Sequence, residues 1–222
     1  LNLDALDGAG TVANNDPIGP TYGELYTPQD NREYNPQRAR EFIAEVLADG
    51  TGNGYVVEAD GEARIEVPFY VGDTFEYARV AVFLQQQWRE SNIYVELNVV
   101  PENVYYADGD NNWLNAQLGM TAWGDRPTPQ EYLSVAYTEG AAFNESRWVN
   151  DELAQLAAES SRTADVEARA AIYDQISGVF LESGPIIIPY FRPVVAAHNN
   201  RVVGIELHPF PGRTDFREVD IR

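Results

Sequence analysis

The stretch Trp123-Gly124-Asp125-Arg126-Pro127-Thr128-Pro129 constrains this chain more than any other. Proline fixes φ and pushes the residue before it toward extended backbone, so Asp125 and Thr128 are kept out of regular helix. A strand-like run, Asn115 to Ala122, leads in, and a tryptophan follows it. The expectation is a strand followed by a rigid loop that carries one aromatic ring and one carboxylate, a common way to present side chains to a ligand. The same residues also read as a plain turn whose Trp123 packs into the core.

Composition narrows what such a loop could serve. The chain has 222 residues, enough for one large domain or a domain and a half with a real core. Thirty-five acidic residues face fifteen basic ones, all arginine, for a formal net charge of −20. Such a surface repels phosphate backbones and anionic membranes, which argues against nucleic acid and membrane insertion as partners. It also repels itself unless salt screens it, so the pattern reads as adaptation to high salt. An ordinary acidic protein from an arginine-rich coding background is the competing explanation. Cysteine is absent, which excludes disulfides, thiolate nucleophiles and zinc–thiolate sites. No apolar run approaches the roughly 20 residues a membrane helix needs. Leu1-Asn2-Leu3-Asp4 has no signal-peptide character and reads as the last turn of a helix begun earlier, so the chain is expected to be a fragment.

Residues Gly8 to Asp30 are rich in glycine and proline, and Ile18, Tyr22, Leu25 and Tyr26 ask for burial. That predicts a long irregular segment wrapping the rest. Asn35 as cap, Pro36 at the first position and the stripe Ala39, Phe42, Ile43, Val46, Leu47 predict a helix stopped by Gly50. Tyr55–Ala59 and Ala63–Tyr70 flank Asp60-Gly61, a hairpin signal. Phe75 to Ser91 reads as helix, with Tyr77, Ala81, Leu84 and Trp88 on one face. Ile93, Val95, Leu97 and Val99 alternate as a half-buried strand. Asn150 or Asp151 caps one later helix, with Leu153, Leu156 and Ala157 inward. Asp165 caps the next, with Ile172, Tyr173, Ile176, Val179 and Phe180 inward. Gly184-Pro185 ends it. Ile186–Ile188, Pro193–Ala197 and Val202–Leu207 are strand candidates. The fold class is α/β.

Catalytic and metal motifs are weak. Asp108, Asp110 and Asn112 open like a calcium loop, but Trp113 stands where the glycine is needed and Gly119 where the closing glutamate belongs. The only histidines, His198 and His208, stand apart, so neither builds a metal site by spacing. No nucleophile elbow or phosphate-cradling glycine loop is present. Paired carboxylates for glycoside hydrolysis cannot be singled out among so many acids. Asn144-Glu145-Ser146 is a glycosylation sequon of small weight. What remains is aromatic density, four Trp, thirteen Tyr and nine Phe with few bases between them. It suits a core, a sugar-stacking cleft or a site for an amphiphilic ligand.

Taken in order, the motifs resemble the C-terminal half of the family 5 solute-binding proteins, the dipeptide-, oligopeptide- and nickel-binding receptors of ABC importers. The glycine- and proline-rich Gly8–Pro20 opens the series, followed by Tyr34-Asn35-Pro36 with Ala39. Trp88 and Asn92-Ile93-Tyr94-Val95 come next, then the Trp123–Pro129 loop and Asn144-Glu145-Ser146-Arg147-Trp148. Asp165, Arg169 and Tyr173 follow, and then Pro185-Ile186-Ile187-Ile188-Pro189-Tyr190. Val203-Gly204 through Phe216-Arg217-Glu218-Val219 closes it. Each element is weak alone; the order across the whole chain is specific.

The resemblance implies a periplasmic-binding-protein-like lobe (type II, cluster C-like), a mixed sheet flanked by helices. Residues 1–191 would form the second lobe, and residues 192–222 strands that return to the first. It implies no enzymatic activity and no cofactor, catalytic residue or metal site. The expected function is capture of a peptide-like or other small solute outside the cell, for delivery to ABC permease subunits. The expected location is the cell surface, with a lipid anchor supplied by a preceding segment. Asp125 would pair with a ligand ammonium, Trp123 and Tyr137 would form apolar walls, and Asn144 completes the expected ligand-binding set. Thr128 stands where the family places an acid, and Val71-Gly72 where dipeptide binders carry an arginine. A longer peptide, or another cationic or sugar-like solute, therefore fits better than a dipeptide. The alternative function is a secreted carbohydrate-active or carbohydrate-binding protein of a salt-adapted organism.

Overall fold

The computed structural model describes residues 8, 10–13, 15–30, 32–74, 76–107, 109, 112–208, 210 and 212–222. The expectations at Leu1–Asp4, Phe75, Asp108 and Asp110 lie outside these. The described chain is α/β and forms two compact units, Arg32–Ala122 in one and residues 10–30 with Trp123–Arg222 in the other.

The first unit is a mixed four-stranded sheet with helices packed on it. Its central strand β3 (Glu62–Gly72) pairs antiparallel with β2 (Val56–Ala59) and parallel with β4 (Ile93–Val100) and β5 (Leu118–Met120). The hairpin turn falls on Asp60-Gly61, both at positive φ (56° and 81°), which suits the tight turns that join twisted strands. Pro68 lies in the middle of β3, where a missing N–H ought to cost a ladder bond. Glu66 donates toward the β2 side and Ile65 toward the β4 side, so the Pro68 nitrogen faces the β2 side. There β2 pairing has ended at Ile65 and β5 pairing has not begun until Phe69, so no donor is missed.

Helix α1 (Pro36–Asp49) starts as the sequence dictates. Asn35 Oδ1 accepts from Arg38 N, Pro36 takes the first position, and Gly50 closes the helix at φ 68°. Ile43 is its buried contact, whereas Phe42 is 52% exposed, a departure from the expected stripe. The Arg38 guanidinium covers the Phe42 ring at 3.9 Å instead. Helix α2 (Tyr77–Arg89) buries Tyr77, Val80 and Ala81. Phe69, Val71, Ala81 and Val95 form the sheet core, with Trp88 tilted against Phe69 at 5.6 Å. Val99, expected on the same buried face as Val95, is 46% exposed and stands outside this core. The expected Asn115–Ala122 strand shrinks to Leu118–Met120. Asn112 Oδ1 accepts from both Leu114 N and Asn115 N, which closes a turn where strand was expected. A short helix, α3 (Glu102–Tyr105), also belongs to this unit.

The second unit is mostly helical. After α4 (Pro129–Tyr132) and a π-helical turn (Leu133–Tyr137) come α5 (Asp151–Ser160) and α6 (Val166–Ser183). Asn150 and Asp165 cap α5 and α6 through Leu153 N and Ala168 N. Every residue expected to point inward on α5 and α6 is buried. The segment 10–30 straps this cluster. Its β1 (Thr11–Val12) pairs with β6 (Tyr190–Phe191), and its 3-10 helix (Pro20–Leu25) packs on α6. Ile18 and Tyr22 are buried, with Leu25 and Tyr26 against the same core.

The tail departs from the three expected strands. Ile186–Ile188 is not a regular strand, yet Asn15 holds both backbone groups of Ile188: Asn15 N donates to Ile188 O, and Ile188 N to Asn15 Oδ1. Pro193–Ala197 forms no strand, because no described segment pairs with it; Val194 and Val195 stand 52% and 79% exposed. Of Val202–Leu207 only β7 (Val202–Val203) is strand, paired with β8 (Asp220–Ile221).

Candidate functional site

The Trp123–Pro129 loop folds as its prolines require. Thr128 is extended (φ −141°, ψ 151°) and Pro129 begins α4 with its ring fully buried. Trp123 and Asp125 are each half-buried, neither covered by the chain nor fully exposed.

Two tyrosines that sequence reading did not connect to this loop hold it. Tyr132 OH donates to Gly124 O at 2.8 Å, and Tyr22 OH donates to Arg126 O at 3.0 Å. Asp125 is thus bracketed by two fixed carbonyls. The two tyrosine rings meet edge to face at 6.4 Å. Burial pushes both phenols up, Tyr132 to about 12, with the Asp125 charge adding to it; both therefore stay protonated donors at neutral pH. Arg126 turns its guanidinium to Gly124 O and to the Trp123 and Tyr132 rings, not to Asp125.

Asp125 itself makes no hydrogen bond or ion pair among the described residues. Burial holds its carboxyl above the usual carboxylate range. A part-desolvated carboxylate with no partner is unfavourable unless something fills its valences. Trp123 Nε1 donates to Glu145 Oε1 at 3.0 Å, and Phe143 meets the indole edge to face at 6.1 Å. The arrangement offers an aromatic surface, a free carboxylate and a second acid nearby, a combination that suits a cationic group.

The other two expected site residues are placed differently. Tyr137 lies on the π-helical turn with its ring 4.8 Å from Phe180, beside Trp148 in the helical core. Burial, and then the Glu145 charge, pushes its phenol up. Asn144 neighbours the Trp123 contacts through Phe143 and Glu145, but its amide is engaged within its own turn. It donates to Trp148 O and accepts from Ser146 Oγ. Nothing local in the sequence marked Tyr22, because its partner lies 104 residues away. Tyr132 could have been found: it stands on the first turn after Pro129, eight residues from the carbonyl it holds.

Among the described residues no group of three or more His, Asp or Glu could hold a metal. Asn112 of the calcium-like stretch is a turn-former, and His208 accepts from Phe210 N while His198 is exposed. No described helix is long and apolar enough to cross a membrane.

Residues 1–144 match the family described as bacterial extracellular solute-binding proteins, family 5 middle. The chain belongs to this family. The oligopeptide-binding protein OppA of Bacillus subtilis is 24% identical over 192 residues, 85% of this chain and 34% of OppA. Heme-binding protein A of Haemophilus influenzae is 26% identical over 213 residues, 91% of this chain and 36% of that protein. The chain thus spans about a third of the length of these curated relatives. The oligopeptide-binding protein AppA of Bacillus subtilis, solved in complex with a nonapeptide, matches with a TM-score of 0.71 at 19% identity. That match covers 100% of this chain and 44% of AppA. The fold is that of the periplasmic binding proteins, a mixed sheet flanked by helices. The relatives are binding proteins rather than enzymes, and they give no support to a carbohydrate-active alternative.

Proposed function

We propose that this chain supplies the second lobe of an extracellular receptor that captures a peptide-like or other small cationic solute and delivers it to an ABC permease. Residues 1–191 form that lobe in this reading, and residues 192–222 contribute strands to the first. The receptor stands at the cell surface, held by a lipid on a preceding segment, in a salt-adapted organism whose acidic proteins need screening. The observation that carries the reading is Asp125: a half-buried carboxylate, unpaired, on a loop whose neighbouring carbonyls are fixed.

A ligand ammonium would supply the missing partner, with Trp123 as an apolar wall beside it. Tyr137 and Asn144 shape the surroundings in this reading, Tyr137 through its ring on Phe180 and Asn144 through the turn that carries Glu145. Closure of two lobes would then remove the remaining water. A thermal-shift screen of the two-lobed receptor against peptides, polyamines and neutral oligosaccharides tests the reading. The expected hits are peptides or amines with a free ammonium group. Hits confined to neutral sugars would overturn it.

A further inference from the structure

We propose that Tyr22 and Tyr132 are the positioning residues of the ligand anchor: their hydroxyls hold the carbonyls on either side of Asp125 and so fix where its carboxylate stands. The inference rests on the reading of Asp125 as the anchor and adds to it the device that orients the anchor.

In a trans peptide the C=O and the next N–H point in opposite directions. The Gly124 carbonyl is drawn toward Tyr132 at 2.8 Å, so the Asp125 N–H points away from that tyrosine. No described group accepts from the Asp125 N–H. Two residues downstream the Arg126 carbonyl is drawn toward Tyr22 at 3.0 Å. With the Gly124–Asp125 peptide plane set and the Arg126 carbonyl held two residues further on, the backbone around Asp125 is restrained from both sides. Its side chain and its amide are thereby presented as one unit, two acceptor oxygens and one donor, none of them bonded among the described residues. Pro127 strengthens the hold, because its ring limits the chain just after the second pinned carbonyl.

The pins come from distant parts of the chain. Tyr22 rides on the 3-10 helix of the strap, and Tyr132 on α4. Each is under a tenth exposed, and the rings brace one another at an interplanar angle of 89°. Gly124 O also accepts from Arg126 Nη1 at 2.9 Å, so the first carbonyl keeps one partner if Tyr132 loses its hydroxyl. Arg126 O has no second donor among the described residues. Loss of the Tyr22 hydroxyl should accordingly free the loop more than loss of the Tyr132 hydroxyl.

The test replaces each hydroxyl and leaves the ring in place: Tyr22→Phe, Tyr132→Phe and the double variant, with Tyr173→Phe as a control. Tyr173 is buried in the same helical core, and its hydroxyl makes no hydrogen bond to residues 123–129 among the described residues. Two quantities are read by NMR on this chain: the titration midpoint of the Asp125 carboxyl carbon and the backbone order parameter of the Asp125 amide. In the parent protein the midpoint should lie above the ordinary carboxylate value, and the amide should be rigid. Tyr22→Phe should lower both, Tyr132→Phe should lower both by less, and the double variant most. Tyr173→Phe should lower thermal stability while leaving both readings at the parent values.

Midpoints and order parameters unchanged in Tyr22→Phe and the double variant, at a lowered Tm, would overturn the proposal and leave the tyrosines merely structural. A separate arm tests the anchor itself. Tetra-alanine with a free amino end, and its N-acetyl form, are titrated into the parent and into Asp125→Asn, following the Trp123 indole resonance. Equal responses to the two peptides would remove Asp125 as anchor without touching the result on the pins. A response to the free amine that disappears in Asp125→Asn supports the anchor, and the tyrosine variants then decide the pins.

Discussion

The sheet unit and the helical unit solve the same problem in opposite ways. In the sheet unit no described acid has its carboxyl pushed up, and polar groups are met locally by a hairpin, by strand ladders and by exposed ion pairs such as Arg38 with Glu41, with the Thr74 hydroxyl an uncharged exception. In the helical unit, among the described residues, a carboxylate lies buried with one oxygen unpaired, and another stands half-buried with no partner. Asp16 is 3% exposed; its Oδ1 accepts from Ile18 N, while Oδ2 has no hydrogen bond. Burial, aided by the nearby Asp174 charge, raises its carboxyl to about 6. Among the described acids whose shift is upward, both Asp16 and Asp125 belong to this unit. One unit reads as scaffold; the other holds both raised carboxyls, Asp125 on the loop assigned to ligand and Asp16 in the strap.

Cutting each core should produce the largest effects. Phe69→Ala should cost about 3–5 kcal/mol in a urea titration, and Leu153→Ala about 2–5, because both side chains are fully buried. A cost below about 1 kcal/mol at either would mean that the corresponding core is not packed as described.

The next effect separates the units by pH. Asp16 has a folded-state value near 6 against an ordinary 3.8, so the folded state favours its protonated form. Below 3.8 both states are protonated and no penalty exists; as pH rises through 6 stability is lost, by about 3 kcal/mol in total. Asp16→Asn should remove that loss. Urea titrations of parent and variant at pH 4 and pH 7.5 should show the variant gaining relative to the parent at the higher pH. An identical pH profile would mean that water or a counter-ion already compensates Asp16.

The division also explains what could be read in advance. The helix caps at Asn35, Asn150 and Asp165, the Asp60-Gly61 hairpin and the inward faces of α5 and α6 follow from local chemistry, and the sequence carried them. The tail did not follow the pattern: Pro193–Ala197 has strand composition, but a strand exists only if a partner lies beside it. Asn115–Ala122 failed for a similar reason, since the Asn112 side chain competed successfully for the backbone donors. The half-buried placement of Trp123 and Asp125 on a proline-bounded loop was legible from the prolines around them. Tyr22 and Asp16 were not, because their roles depend on contacts that no local spacing encodes.

A salt series addresses the charge that both units share. With a net charge of −20, screening should raise the melting temperature between 0.1 M and 3 M sodium chloride. A flat or falling Tm would remove salt adaptation from the account. The smallest effects should come from the caps. Asn35→Ala on the sheet unit and Asn150→Ala on the helical unit should each cost about 1 kcal/mol. Near-equal costs would confine the contrast between the units to buried charge; a much larger cost at Asn150 would extend it to local structure.

The central claim, that the unpaired Asp125 carboxylate anchors a cationic group of the ligand, is tested most directly by calorimetry. The two-lobed receptor and its Asp125→Asn variant are titrated with the solute returned by the ligand screen. The account predicts that the variant folds with unchanged Tm and binds more weakly by about 1.5–3 kcal/mol, the range for a hydrogen bond to a charged group. Unchanged affinity in a folded variant would contradict it and return Asp125 to the role of a turn residue.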